Sequence, residues 1–274
     1  MGTLYLVATP IGNLDDVTLR ALKVLSEADL VAAEDTRHTR KLLQHHGVHA
    51  SVVSYHEHNK MARMDEILRT LDTGDVALVS DAGTPALSDP GHDLVKQAWA
   101  TGHRVSPVPG PSAPVAALVT SGLPTDRFLY LGYLPRGSKD RVELLKSRAR
   151  DPWTLVAFEV PHRLQDSLAD CEEAFGPDRE AAICRELTKV HEEVVRGTFP
   201  VLRERFREVE PRGEVTVVID GAPDADARWD ESTVRAAVEE RLADGDPPST
   251  VAREIAKLAG WRRRDVYEMT LEDS

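Results

Sequence analysis

Val76-Ala-Leu-Val79, followed at once by Ser80-Asp-Ala-Gly-Thr-Pro-Ala-Leu-Ser-Asp-Pro-Gly91, is the stretch on which the fold turns. The four apolar residues read as a buried strand, and the glycines and prolines after it set a loop rather than a second regular element. Asp81, Thr84, Ser88 and Asp89 give that loop its polar groups. In an open α/β sheet, a loop at the carboxyl end of a strand lies where ligands bind, because backbone amides and short side chains converge there.

The same alternation extends in both directions. Upstream, strand-like Leu4 to Ala8 and Leu30 to Ala33 alternate with helical periodicity at Leu19 to Leu25, Thr39 to His45 and Met64 to Leu71. Downstream, Arg104 to Val108 runs into Pro109-Gly-Pro-Ser-Ala113, where Ser112 can cap an apolar helix from Ala113 to Thr120. This predicts a mostly parallel α/β lobe over residues 1–120. After the break at Ser121-Gly-Leu-Pro-Thr-Asp126, strands are expected at Phe128 to Leu131, Thr154 to Glu159, Ala181 to Glu186, Val190 to Val195 and Val215 to Ile219. Helical stretches at Arg141 to Arg148, Leu164 to Phe175 and Val201 to Val209 complete a second α/β lobe with a mixed sheet over 121–223. The polar break Asp220 to Asp226 sets off a small helical domain over 224–274, whose helices flank Ala259-Gly-Trp261 in a helix-turn-helix-like arrangement.

Composition narrows the classes of function. The chain has 274 residues, 41% hydrophobic and 29% charged, and no apolar run near the ~20 residues that cross a bilayer. Its first residues lack a basic stretch and turn straight into a strand pattern, which argues against a secretory signal and for the cytoplasm. Cys171 and Cys184 are too few for a disulfide scaffold or a Cys-x-x-Cys zinc site. A net charge of -12 argues against indiscriminate nucleic-acid binding and leaves only a local basic patch for such a partner. The first turn, Thr9-Pro-Ile-Gly-Asn-Leu14, lacks Gly-x-Gly-x-x-Gly and disfavours a dinucleotide site. His45-His46 and His56-x-His58 lack a third ligand at motif spacing, so no metal is expected.

Taken in order, Ala8-Thr-Pro-Ile-Gly-Asn-Leu14, Ala33-Glu-Asp-Thr-Arg37, Tyr55-His-Glu-His-Asn59, Ser80-Asp-Ala-Gly-Thr-Pro85, Ser88-Asp-Pro-Gly91 and Pro109-Gly-Pro-Ser-Ala113 resemble the ribosomal RNA small-subunit methyltransferase I family of the tetrapyrrole-methylase superfamily. The resemblance continues through Phe128 to Pro135, Phe158-Glu-Val-Pro-His-Arg163 and Arg185-Glu-Leu-Thr-Lys189, and reaches the helical tail. It implies S-adenosylmethionine as donor, the 2'-hydroxyl of a cytidine in the decoding region of 16S ribosomal RNA in the small subunit as acceptor, and a homodimer. It also implies a donor cleft between the two lobes, with Pro10, Asp81, Gly83, Thr84, Ser112 and Ala113 on one side and Phe158, Leu187 and Gly213 on the other.

A general base would assist attack by so weak an acid as a ribose hydroxyl, and Glu34, Asp35, His56 and Glu57 follow predicted strands closely enough to be candidates. Asp35 also suits a helix N-cap. Arg37, Arg40 and Lys41, with Arg136, Lys139 and Arg141, are candidates for RNA phosphate; Arg262-Arg-Arg264 in the tail either grips RNA backbone as well or balances neighbouring carboxylates. Two rival readings remain at this level: a porphyrinoid methyltransferase of the same fold, and a ribosome-binding module without turnover.

Overall fold

The computed structural model describes residues 2–207, 212–222 and 229–272. They fall into two compact units, Met1–Arg148 with Thr154–Asp220, and Ala149–Trp153 with Gly221–Ser274.

The larger unit opens with β1 (Thr3–Val7), α1 (Leu19–Glu27), β2 (Leu30–Ala33), α2 (Thr36–His45), β3 (Val52–Ser54), α3 (Lys60–Thr73), β4 (Val76–Val79), α4 (His92–Ala100) and β5 (Arg104–Val108). The five strands form one parallel sheet in the order β3-β2-β4-β1-β5. β2 and β4 are buried along their whole length, which is why both read as unbroken apolar runs. Helices cover both faces. Ala21, Leu25 and Leu43 of α1 and α2 pack on one. Ile67, Leu71, Leu94 and Ala98 of α3 and α4 pack on the other. From the adjacent strands β1 and β4 the chain leaves in opposite directions, toward β2 and toward β5, so a crevice opens at their carboxyl ends.

α5 (Ala113–Ser121) then leads into β6 (Phe128–Tyr133), α6 (Ser138–Arg148), β7 (Thr154–Glu159), α7 (Leu164–Phe175), β8 (Glu180–Arg185), β9 (Glu193–Thr198), α8 (Phe199–Arg207) and β10 (Val215–Ile219). Their sheet has the order β6-β7-β10-β8-β9, parallel only between β6 and β7, hence mixed. Leu145, Leu168, Phe199 and Leu202 of α6, α7 and α8 bury one face. Ala117 and Leu118 of α5 bury the other, in a cluster that also takes in Ile11 from the loop after β1 and Leu187 from the loop after β8. That shared cluster knits the two sheets into one body.

The smaller unit holds α9 (Glu231–Ala243), α10 (Pro248–Ala259) and α11 (Arg263–Glu272) around Val234, Val238, Val251, Ile255 and Val266. α10 ends at Gly260 in the left-handed conformation, φ 65, the usual helix stop, and Trp261 Nε1 donates to the Trp229 carbonyl at 2.6 Å. Part of the polar break expected at 220–226, the boundary at 223/224, and the last two residues of the helix expected to reach Val209 lie outside the described residues. Among the described residues no helix is long and apolar enough to cross a membrane.

Candidate functional site

Segments from both sheets build the site. The loop after β1 and the loop after β4 are stitched together by reciprocal backbone bonds, Thr9 N–H to the Gly83 carbonyl at 2.9 Å and Gly83 N–H to the Thr9 carbonyl at 3.0 Å. Thr9 Oγ1 also donates to the Ser80 carbonyl at 3.2 Å. Ala86 and Ser88 hold positive φ of 67 and 64, a conformation that side chains resist and that persists where surrounding structure enforces it. Gly83 has φ 76. The third loop, 109–113, closes against the second through Thr84 Oγ1, which donates to the Pro111 carbonyl at 3.3 Å. Ser112 stands at the N-cap of α5 but makes no side-chain cap bond, so its hydroxyl is unspent.

The opposite wall comes from the mixed sheet. Phe158 packs edge-on against Tyr130 with ring centroids 5.5 Å apart and tilts against Tyr133 at 5.2 Å. Tyr130 Oη and Ser88 Oγ share a hydrogen bond of 2.8 Å across the two sheets. Beside them the chain turns tightly through Glu186 and Thr188, at φ 50 and 66. The Glu186 carboxylate accepts from Glu214 N–H at 3.0 Å and from Lys189 Nζ at 2.8 Å.

Together these loops enclose a cleft of about 320 Å³ lined by Glu34, Asp81, Gly83, Thr84, Leu87, Asp89, Ser112, Ala113, Pro114, Tyr133, Phe158, Glu159, Gly213 and Glu214, among others. Its floor is acidic. Burial pushes the Asp89 carboxyl up to about 6, with the charges of Glu34 and Asp81 adding to the effect, and burial likewise raises Glu34. A second groove, of about 490 Å³, runs on from the cleft past Thr9, Pro10, Gly12, His38, Lys41 and Lys189. Ile11, Asp81, Ala82 and Glu214 line both cavities.

The expected donor residues Asp81, Gly83, Thr84, Ser112, Ala113, Phe158 and Gly213 thus meet in one cleft, while Pro10 lines the adjoining groove. Leu187 lies behind the wall, packed into the apolar cluster that joins the sheets.

Of the expected base candidates, Glu34 reaches the cleft. Asp35 caps α2 and binds Arg37 through both carboxylate oxygens, which holds its carboxyl well below the usual range. Asp35, His38 and Asp81 bring one polar atom each within 4.8 Å of one another. With Arg37 on Asp35, the group is an ion-pair cluster. His56 sits after β3 with its Nδ1 buried and unpartnered, and Glu57 pairs with Lys60 at 2.7 Å.

Arg37, Arg40, Lys41, Arg136 and Lys139 are exposed. Arg141 is not, which corrects its reading as a phosphate contact. It is 2% exposed, bonded to Asp170 at 2.7 Å and to the Pro135 and Arg136 carbonyls. In the tail, Arg264 is exposed but bonded to Glu268 at 3.1 Å.

The arrangement suits a small, polar, cationic ligand. Backbone can approach closely at Gly83, an uncommitted hydroxyl stands at Ser112, aromatic rings form one wall and carboxylates the floor. The model of the tetrapyrrole (corrin/porphyrin) methylases matches residues 3–203, and the chain belongs to that family, which makes it a methyltransferase with S-adenosylmethionine as methyl donor. The fold agrees with solved structures of diphthine synthase (TM-score 0.63, 16% identity, 80% of this chain and 90% of that one) and cobalt precorrin-4 methyltransferase (TM-score 0.60, 19% identity, 80% and 94%).

Similarity over the whole chain narrows the class. Ribosomal RNA small subunit methyltransferase I of Synechocystis sp. is 44% identical over 274 residues, covering 99% of this chain and 98% of the relative. The protein of the same name from Pseudomonas aeruginosa is 43% identical, covering 99% and 97%. Within the methylases, the chain belongs with these ribosomal RNA small subunit methyltransferase I proteins.

Proposed function

We propose that the protein methylates the 2'-hydroxyl of a cytidine ribose in the decoding region of 16S ribosomal RNA, on the small ribosomal subunit, as a cytoplasmic homodimer and without a metal. The reading is supported above all by the groove that continues from the donor cleft past Lys41 and Lys189, because it gives a large, anionic acceptor access to the cleft without passing through it. The similarity to rRNA methyltransferases over 99% of the chain favours this reading over a porphyrinoid or non-catalytic one.

S-adenosylmethionine supplies a methyl group activated on a sulfonium. Asp81, Thr84, Ser112 and Ala113 would hold it, with Gly83 admitting its atoms to the backbone and Phe158 and Gly213 closing over it. The carboxylates of Glu34, Asp81 and Glu214 favour a positive charge there. Pro10 lines the adjoining groove beside Ile11, and Leu187 supports the wall from behind. The main contribution of such a site is to hold acceptor oxygen, methyl carbon and sulfur in line. Arg37, Arg40, Lys41, Arg136 and Lys139 present cations to RNA phosphates.

The test is transfer of labelled methyl to purified small subunits lacking the modification, followed by digestion to nucleosides and mass spectrometry. The expected product is 2'-O-methylcytidine. Label on a base carbon, or none in RNA, would refute the reading.

A further inference from the structure

Starting from the proposed ribose methylation, we infer that His38, oriented by Asp81, is the base that takes the proton from the acceptor hydroxyl. Displacement at a methyl group requires the acceptor oxygen opposite the sulfur. With the donor in the cleft, the contiguous groove offers the acceptor an approach to it, and a base that faces the groove would meet the acceptor there. His38 faces it from the first turn of α2.

Its Nδ1 lies 3.4 Å from Asp81 Oδ2, and Asp81 lines both cavities. The other Asp81 oxygen accepts from Asp35 N–H at 2.9 Å, which fixes the carboxylate. A proton on Nδ1 facing the carboxylate leaves Nε2 as the acceptor, the arrangement by which a carboxylate sets the tautomer of a histidine base.

The other candidates are poorly placed. Glu34 lines the cleft alone and accepts from Asp81 N–H at 3.3 Å. Both oxygens of Asp35 are held by Arg37. His56 lines neither cavity. Lys189 across the groove is committed to Glu186 and Glu214, and its amine is held above the usual lysine range, so it stays a cation.

In the step assigned, the hydroxyl oxygen forms its bond to the methyl carbon as the carbon–sulfur bond breaks. That electron pair stays on sulfur, which leaves as a neutral thioether. The hydroxyl proton passes to His38 Nε2, and the imidazolium is stabilised by Asp81. The charged and titratable groups around it are Asp81 and Asp35 beside it, Arg37 on Asp35, Glu34 on Asp81, and Lys41, Lys189 and Glu214 along the same groove.

The experiment uses full-length His38→Ala and His38→Gln proteins. Donor affinity is read by calorimetry, and single-turnover transfer to unmodified small subunits is followed from about pH 5 to 8, with and without added imidazole. The histidine side chain is 64% exposed, so the change should leave the fold intact and leave room for imidazole. The expected result is near-normal donor affinity, a rate lower by on the order of 10²-fold, loss of the rise in rate with pH, and partial rescue of His38→Ala by imidazole. A rate within about threefold of the parent, or a loss that imidazole does not relieve and that keeps the parent pH profile, would overturn the assignment. A parent protein that methylates no ribose hydroxyl would overturn it together with the function it rests on, so the two failures are told apart.

Discussion

Replacing Gly213 by alanine probes the second-sheet side of the site. Gly213 has φ 86, and an added Cβ would land on the carboxylate of Glu186. Two costs follow. The left-handed backbone costs a side-chain-bearing residue about 1 kcal/mol. Displacing Glu186 loosens its bonds to Glu214 N–H and Lys189 Nζ, partly screened charged contacts that contribute about 1 kcal/mol each. Gly213→Ala is therefore expected to destabilise the α/β body by about 3 kcal/mol, lowering its melting midpoint by roughly 6–12 °C.

Gly47→Ala is the control, with φ 66 and nothing within 4 Å of the added Cβ. It should cost about 1 kcal/mol and roughly 2–4 °C. In a Glu186→Ala background, Gly213→Ala should fall to the cost of the control, because the clash is gone. Scanning calorimetry of the four variants with the parent reads all of this. Equal midpoints for Gly213→Ala and Gly47→Ala would refute the reasoning.

Three further outcomes are expected. Arg141→Met leaves Asp170 in the interior without its cation and should cost about 3–5 kcal/mol in denaturant unfolding, whereas a loss below about 1 kcal/mol would mean that the pair is not buried in solution. The Asp89 carboxyl is raised to about 6 from an ordinary 3.8, so the unfolded chain releases this proton first and the residue's contribution to stability is lost as pH rises from about 4 to about 6. Asp89→Asn should accordingly gain on the order of 1 kcal/mol above pH 6, after allowance for solvent screening, and nothing below about pH 4; a pH-independent effect in thermal melts would contradict this. Ser112→Trp fills the cleft at a residue that caps nothing with its side chain, so it should abolish donor binding while leaving the melting midpoint within about 2 °C of the parent.

Both sheets were legible because their central strands are dominated by β-branched and apolar residues: Val76–Val79 and Val215–Ile219, the latter broken only by Thr216, are buried throughout. What was missed, or, like the strand before His56, was given no bounds, lacks that signal. β3 is three half-buried residues at a sheet edge, and α4 begins directly after Gly91, the last residue of a loop whose glycines and prolines mask it. β9 starts at Glu193 instead of Val190 because the turn through Glu186 and Thr188 continues to Glu192, which holds Thr188 N–H at 2.6 Å.

At the site, glycine, proline and short polar residues marked the loops of the first sheet. Tyr133, Glu159 and Glu214 join the cleft through pairing of distant strands and carry no local mark. Arg141 looked like part of a basic patch because its partner, Asp170, lies 29 residues away on another helix. His38 was hidden in the same way, as one of a run of basic residues, until the loop after β4 brought Asp81 to it.

The central claim is that the cleft between the two sheets holds the methyl donor. A calorimetric titration of S-adenosylmethionine into the parent and the Ser112→Trp protein tests it most directly. The account predicts saturable binding at one donor per chain in the parent and no measurable heat in the variant; equal binding by both would contradict it.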